Sequence, residues 1–360
     1  MDDAFTGTRA PTHPIDAQAL AAWLAREIPG FTGPLTIEQF KGGQSNPTYQ
    51  LITPGGSYVM RAKPAPVAKL LPSAHAIERE FTVMRALAGT DVPVPQMLAL
   101  CEDESVIGRA FYVMAFVQGR VLWDQTLPGA SNAERAAIYE EMNRVIAALH
   151  RVDFRALGLE GYGKPGNYFE RQIGRWSKQY QATITGPNEA MDRLIDWLPA
   201  HIPESARDER EVSIVHGDYR LDNLVFHPTE PRVLAVLDWE LSTLGHPLAD
   251  FSYHCMSWHI RKTGAARGLG GVDLAPLGIP GELDYVRRYC ERTGRADPQL
   301  VMKDWNFYLA YNLFRICAIL QGIAKRVEDG TASSAQAREA AAGAKPMAEL
   351  GWEIAQKLSR

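Results

Sequence analysis

Residues 215–226 read VHGDYRLDNLVF. Both ends are apolar, while His216, Gly217, Asp218, Asp222 and Asn223 make the middle polar. Two apolar ends around such a middle describe strand–turn–strand. The turn is either solvated or holds something charged, and the sequence downstream favours the second. LAVLDWE (234–240) is an apolar strand running into Asp238, fifteen residues past Asn223. A strand of that kind delivers its carboxylate to the mouth of a cleft. An Asn amide oxygen and an Asp carboxylate are hard donors. Few in number and without His or Cys, they suit Mg²⁺ that keeps waters and is completed by phosphate oxygens. Asp218 is left to orient a hydroxyl and take its proton.

The rest of the chain sets bounds on this chemistry. Its 360 residues are comfortable for two lobes. A net charge of −4 argues against a general nucleic-acid binder. With no run of about 18 apolar residues in view, no membrane span is expected. MDDAFTGTRAPTHP (1–14) has neither the basic start nor the apolar core of a signal peptide. Cys101, Cys255, Cys290 and Cys317 form no CxxC pair, so free, packed thiols in a reducing cytoplasm are expected. GxxxxGK[ST], GxSxG and HExxH motifs are absent, which removes P-loop, hydrolase-elbow and zincin readings.

Residues 1–14 read as a loose tail and 15–28 as a short amphipathic helix. LTIEQF (35–40), TYQLIT (48–53) and SYVMRAK (57–63) are separated by turn-forming stretches, which predicts a β-meander. SAHAIEREFTVMRALAG (73–89) predicts a helix capped by Ser73, with Ile77, Phe81, Met84 and Leu87 on one face. Two strands follow, giving one antiparallel sheet with one helix on it. After Gly119 the chain is mainly helical, with helices expected over 283–293, 299–327 and 334–358, the last taking in AREAAAGAK. The expected division is a lobe of residues 1–118 and a helical lobe of residues 119–360.

His-Gly-Asp with Asn five residues after the Asp, then Asp-Trp-Glu, resembles the catalytic segment of the aminoglycoside phosphotransferase and choline kinase branch of the protein-kinase-like fold. The resemblance implies an α+β, bilobal fold with a small antiparallel β-sheet lobe and a larger, mainly helical lobe. It implies ATP and Mg²⁺ as cofactors. FKGGQSNPTY (40–49) stands where a hairpin covers the ATP phosphates, through Gly42, Gly43 and Ser45. Arg61 stands where a cation meets the phosphates, with Lys63 as a second candidate on the same strand face. Glu80, or less simply Glu78, would pair with that cation. Backbone groups from Ala115 to Val117 would meet adenine. Asn223 and Asp238 would hold the metal, Asp218 would be the base, and Arg220 would touch the transferred phosphate. His216 would brace the loop, and Asp250 would tether it.

The acceptor is read from charge. Residues 164–180 and 254–271 are rich in basic side chains, among them Arg171, Arg175, Arg261 and Lys262. Unpaired, they favour an anionic small molecule. Residues 58–81, 171–180 and 237–253 resemble most closely the kinase-like N-terminal region of fused acyl-CoA dehydrogenases, which implies a hydroxyacyl-CoA acceptor and cooperation with a separate acyl-CoA dehydrogenase. The kinase-like fold uses up the 360 residues, so no dehydrogenase domain is expected. Three other readings compete. One is an aminoglycoside kinase, which an acidic cleft would support. Another is a non-catalytic nucleotide-binding module. The third is a metal-dependent hydrolase built on His216, Asp218, Asp238 and His246.

Overall fold

The three segments read as a meander pair in sequence order. A computed structural model describes residues 7–41, 46–64, 76–208, 210–262, 268–295, 297–331 and 335–357. Strands β1 (Thr8–Arg9), β2 (Thr36–Phe40), β3 (Thr48–Thr53), β4 (Gly56–Ala62), β5 (Met97–Cys101) and β6 (Phe111–Ala115) form one antiparallel sheet in the order β1-β2-β3-β4-β6-β5. Helix α1 (Ala17–Glu27) starts at Asp16, whose carboxylate accepts the Gln18 and Ala19 N–H groups. Its Leu20, Trp23 and Leu24 pack with Tyr49, Leu51, Met60, Phe111 and Val113. Alternation along β4 and β6 turns Arg61 and Tyr112 to the opposite face. There they meet Glu80 and Phe81 of α2 (Ile77–Leu87). The sheet therefore carries a helix on each face, where one was expected. The stretch read as a loose tail contributes β1. The expected Ser73 cap lies outside the described residues.

The chain separates into two compact units. The first takes in Met1–Trp123, Arg155–Leu159 and Asp222–Ser242, and the second Asp124–Phe154, Glu160–Leu221 and Thr243–Arg360. Beside the six-stranded sheet, the first unit contains β7 (Arg120–Val121), β9 (Leu224–Phe226) and β10 (Val233–Val236), ordered β10-β9-β7. In the second unit β8 (Ser213–Val215) pairs antiparallel with β11 (Thr243–Gly245). The opening stretch is thus no hairpin, because its two strands join different sheets. Strands of three residues carry too little pattern to choose a partner.

Helices build the rest of the second unit: α3 (Asn132–Arg151), α4 (Tyr168–Gln181), α5 (Glu189–Ala200), α6 (Pro247–Cys255), α7 (Glu282–Thr293), α8 (Pro298–Lys303), α9 (Trp305–Glu328), α10 (Ala335–Ala342) and α11 (Ala344–Ala355). Helix α9 is central and packs on α4, α5, α6, α10 and α11. By length and composition it could cross a membrane, yet 72% of its most apolar window is buried inside the fold. Two expected helices are broken. Asp304 separates α8 from α9, and its carboxylate accepts the Ser205 hydroxyl at 2.9 Å. Gly343 separates α10 from α11, where a Cβ would sit 3.2 Å from Leu320 Cδ1 of α9.

Candidate active site

In the first unit one guanidinium gathers three carboxylates. Arg61 Nη2 lies 2.7 Å from Asp238 Oδ1 and 3.2 Å from Glu240 Oε2, and its Nε lies 3.3 Å from Glu80 Oε2. Glu80 is buried and also accepts from Asn46 Nδ2 and the Tyr112 hydroxyl, each at 3.1 Å. Burial opposes the Arg61 charge, but Asp238, Glu80, Tyr112 and Glu240 hold its pKa well above the usual range. Burial raises the Glu80 pKa despite the pull of Arg61. Lys63 pairs separately with Glu78. Each strand cation thus has its own helix carboxylate, and Arg61 is the one bound to Asp238.

Asp238 follows β10 in a left-handed backbone conformation, φ 65°. Buried Trp239 anchors the turn, donating its indole N–H to the Val236 carbonyl at 2.9 Å. The Leu237 N–H donates to the Asn223 carbonyl at 2.8 Å. The two expected metal ligands therefore sit on backbones tied one residue apart. Among the described residues no group of three His, Cys, Asp or Glu side chains could hold a metal ion. A carboxylate and an amide fit Mg²⁺ that arrives with phosphate oxygens of its own.

In the second unit the loop after β8 is pinned from below. Buried Asp250 of α6 accepts the His216 N–H at 2.7 Å and the Gly217 N–H at 2.8 Å. Its Oδ2 also lies 3.1 Å from His150 Nε2, whose other nitrogen lies 2.7 Å from the Tyr289 hydroxyl. Burial raises the Asp250 pKa, but His150, His216 and the donated N–H more than offset this and hold it below the carboxylate range. Burial also pushes the His150 pKa down. Arg315 Nη2 donates to the Gly217 carbonyl at 2.7 Å. Asp218, its side chain 19% exposed, donates its N–H to His216 Nδ1 at 3.1 Å. Its Oδ1 accepts the Tyr253 hydroxyl and lies 3.3 Å from Arg220 Nε. His216 is wholly buried and braces the loop.

Of the remaining expected site residues, Gly42, Gly43 and Ser45 lie outside the described residues. Ala115 ends β6 and donates its N–H to the Gln96 carbonyl at 2.9 Å. Val117 is half-buried beside exposed Phe116. The basic side chains are not uniformly unpaired. Lys262 binds Asp124 at 2.6 Å, and Arg171 donates to the Lys164 carbonyl at 2.5 Å. Arg175 is exposed, with its guanidinium 5.3 Å from the Trp176 ring, and Arg261 is exposed. Sequence reasoning missed Glu240, Tyr253 and Arg315. Glu240 was visible as the third letter of Asp-Trp-Glu, and Tyr253 stands one helical turn past Asp250. Arg315 gave no local signal. His246 caps α6 by accepting the Leu248 N–H at 3.2 Å, a structural use that leaves the hydrolase reading without support.

The mouse acyl-CoA dehydrogenase family member 10 is 48% identical over 327 residues, which is 91% of this chain. The chain spans only 30% of that relative's length. A solved structure from Ralstonia eutropha, provisionally named an aminoglycoside phosphotransferase, is 65% identical with a TM-score of 0.85, covering 96% of this chain and 99% of that one. A microcompartment-associated aminopropanol kinase shares the fold at 18% identity and a TM-score of 0.61, covering 94% of this chain and 97% of that one. The fold is the protein-kinase-like one. Residues 36–280 match the model of the phosphotransferase enzyme family, and the chain belongs to that family.

Proposed function

We propose that the protein moves the γ-phosphoryl group of Mg-ATP to a hydroxyl of an anionic small molecule, of which hydroxyacyl-CoA is the leading class. The observation that carries this reading is the Arg61–Asp238 contact of 2.7 Å beside the Glu80 and Glu240 carboxylates. A phosphate-binding cation and a metal-binding acid are the two groups a nucleotide's phosphates need. Arg61 would bind those phosphates. Asn223 and Asp238 would hold Mg²⁺, which when bound offsets charge on the phosphates. Asp218 would accept a hydrogen bond from the acceptor hydroxyl and aim its oxygen at the γ-phosphorus. Arg220, 3.3 Å from the same carboxylate, would touch the transferred group. Catalysis in this scheme is positioning and electrostatics, with no phosphoenzyme.

The anionic acceptor is supported by exposed Arg175 and Arg261 and by the name of the mouse relative. CoA carries several negative charges, which such side chains attract. A separate acyl-CoA dehydrogenase would use the product. The four free, buried cysteines suit a reducing compartment, the cytoplasm in this reading. The provisional name of the Ralstonia protein favours a second reading, an aminoglycoside acceptor. One experiment separates them: incubation with Mg-ATP and hydroxyacyl-CoAs, aminoglycosides, choline and sugars, read by mass spectrometry, with Asp218→Asn as control. A phosphorylated hydroxyacyl-CoA made only by the wild type supports the proposal. A phosphorylated aminoglycoside alone keeps the chemistry and overturns the acceptor. No product from any acceptor counts against the kinase.

A further inference from the structure

Three consecutive residues of the loop after β8, His216 to Asp218, are held by three groups between them. Asp250 takes the N–H groups of His216 and Gly217. Arg315 takes the carbonyl of Gly217. The hydroxyl of Tyr253 donates to Oδ1 of Asp218. The hydrogen bonds from Asp250 and Arg315 to the loop are to its backbone. An Asp side chain on a fixed backbone still has two torsions to choose, and a donor on one carboxylate oxygen restricts both. Arg220 also approaches Oδ1, but its side chain is 46% exposed and long, so it restrains little.

Tyr253 is itself well restrained. It is 4% exposed and stands three residues after Asp250 on α6, which puts both side chains on one helix face. The Arg315 guanidinium carbon lies 5.2 Å from its ring centroid and 5.7 Å from that of Trp176. Burial, with the Asp218 charge beside it, holds the phenol well above its usual pKa, so it remains a donor.

We infer that Tyr253 is a positioning residue for Asp218, and that its hydroxyl selects the carboxylate rotamer that receives the acceptor's hydroxyl. The inference rests on the reading of Asp218 as the base. Its test is Tyr253→Phe in the full chain, which keeps the ring and removes only the donor.

Two measurements decide it. In a crystal structure of the variant the Asp218 carboxylate should leave its wild-type rotamer or occupy two, with the Asp250 and Arg315 hydrogen bonds intact. In transfer from Mg-ATP to a 3-hydroxyacyl-CoA, kcat should fall about 10- to 100-fold, with acceptor KM and melting temperature unchanged. A carboxylate that stays in its wild-type rotamer overturns the inference. So does an unchanged kcat, or a lower kcat accompanied by a matching fall in melting temperature. A wild type that transfers nothing to the acceptor sinks the proposed function, while the crystal structure still decides whether Tyr253 positions Asp218.

Discussion

Arg61 of β4 and Asp238, 177 residues later, meet at 2.7 Å in the first unit. The contact joins a strand cation to the acid that closes β10. It also shows that Asp238 engages a positive charge as the chain stands, and the surrounding Glu80 and Glu240 share that charge.

Arg61→Met should therefore damage both binding and stability. It leaves Glu80, 1% exposed, without its counter-charge beside two further acids. Removing one partner of a buried pair costs about 3 kcal/mol or more. Urea denaturation should show that loss. Mg-ATP titration should show at least a tenfold rise in Kd. Unchanged stability would mean that Glu80 is protonated rather than paired.

Asp238→Asn and Asp218→Asn should fail in different ways. The first should weaken Mg-ATP binding, because it removes the charged donor proposed for the metal. The second should leave nucleotide binding within about twofold and lower transfer by 10²- to 10⁴-fold, the usual range for a general base. Nucleotide titration and single-turnover transfer separate them. Identical phenotypes would contradict the division of roles.

Acid should destabilise the second unit well above the carboxylate range. Burial pushes the His246 pKa down to about 3 and that of His254 down to about 4. Both are neutral when folded, whereas the unfolded chain protonates them near 6.5. The unfolded state then binds more protons between those values, so stability is lost as pH falls below about 6.5. Each such His contributes up to about 1.4 kcal/mol per pH unit. Urea denaturation at pH 7.5 and 5.5 measures the slope. His246→Asn, which can still accept the Leu248 N–H at the helix start, should flatten it.

Gly163→Ala should loosen the base of the loop. A Cβ there would lie 2.5 Å from Thr243 Oγ1 and 2.6 Å from the Leu244 nitrogen, both in β11. Displacing β11 strains its pairing with β8, which leads straight into His216. Overpacking of this kind costs about 1–3 kcal/mol. The denaturant midpoint should fall with the slope unchanged.

Much of the fold could be read from the sequence because its signals are local. Helical spacing located α1 and α2, and turn residues separated β2, β3 and β4. The polar middle of residues 215–226, with its downstream strand, marked Asp218, Asn223 and Asp238 as candidates for one chemical set. What stayed hidden depends on encounters between distant segments. Tyr253 reaches Asp218 across 35 residues, Arg315 reaches Gly217 across 98, and Lys262 finds Asp124 across 138. No periodicity reports such meetings, and a basic run read alone overstates its unpaired charge. The break at Gly343 was missed for the same reason, because its neighbour Leu320 lies on another helix.

The left-handed backbone of Asp238 has an evolutionary reading. Few side chains accept φ 65°, and Gly, Asn and Asp are the usual occupants. The shape of the turn and the oxygen donor proposed for the metal thus draw on one short list of residues. A descendant that abandoned phosphoryl transfer could change Asp218 to almost any polar residue, but at 238 it would be steered towards Asn or Gly. The letter at 238 would then separate a chain that had lost its chemistry from one that had also rebuilt its turn.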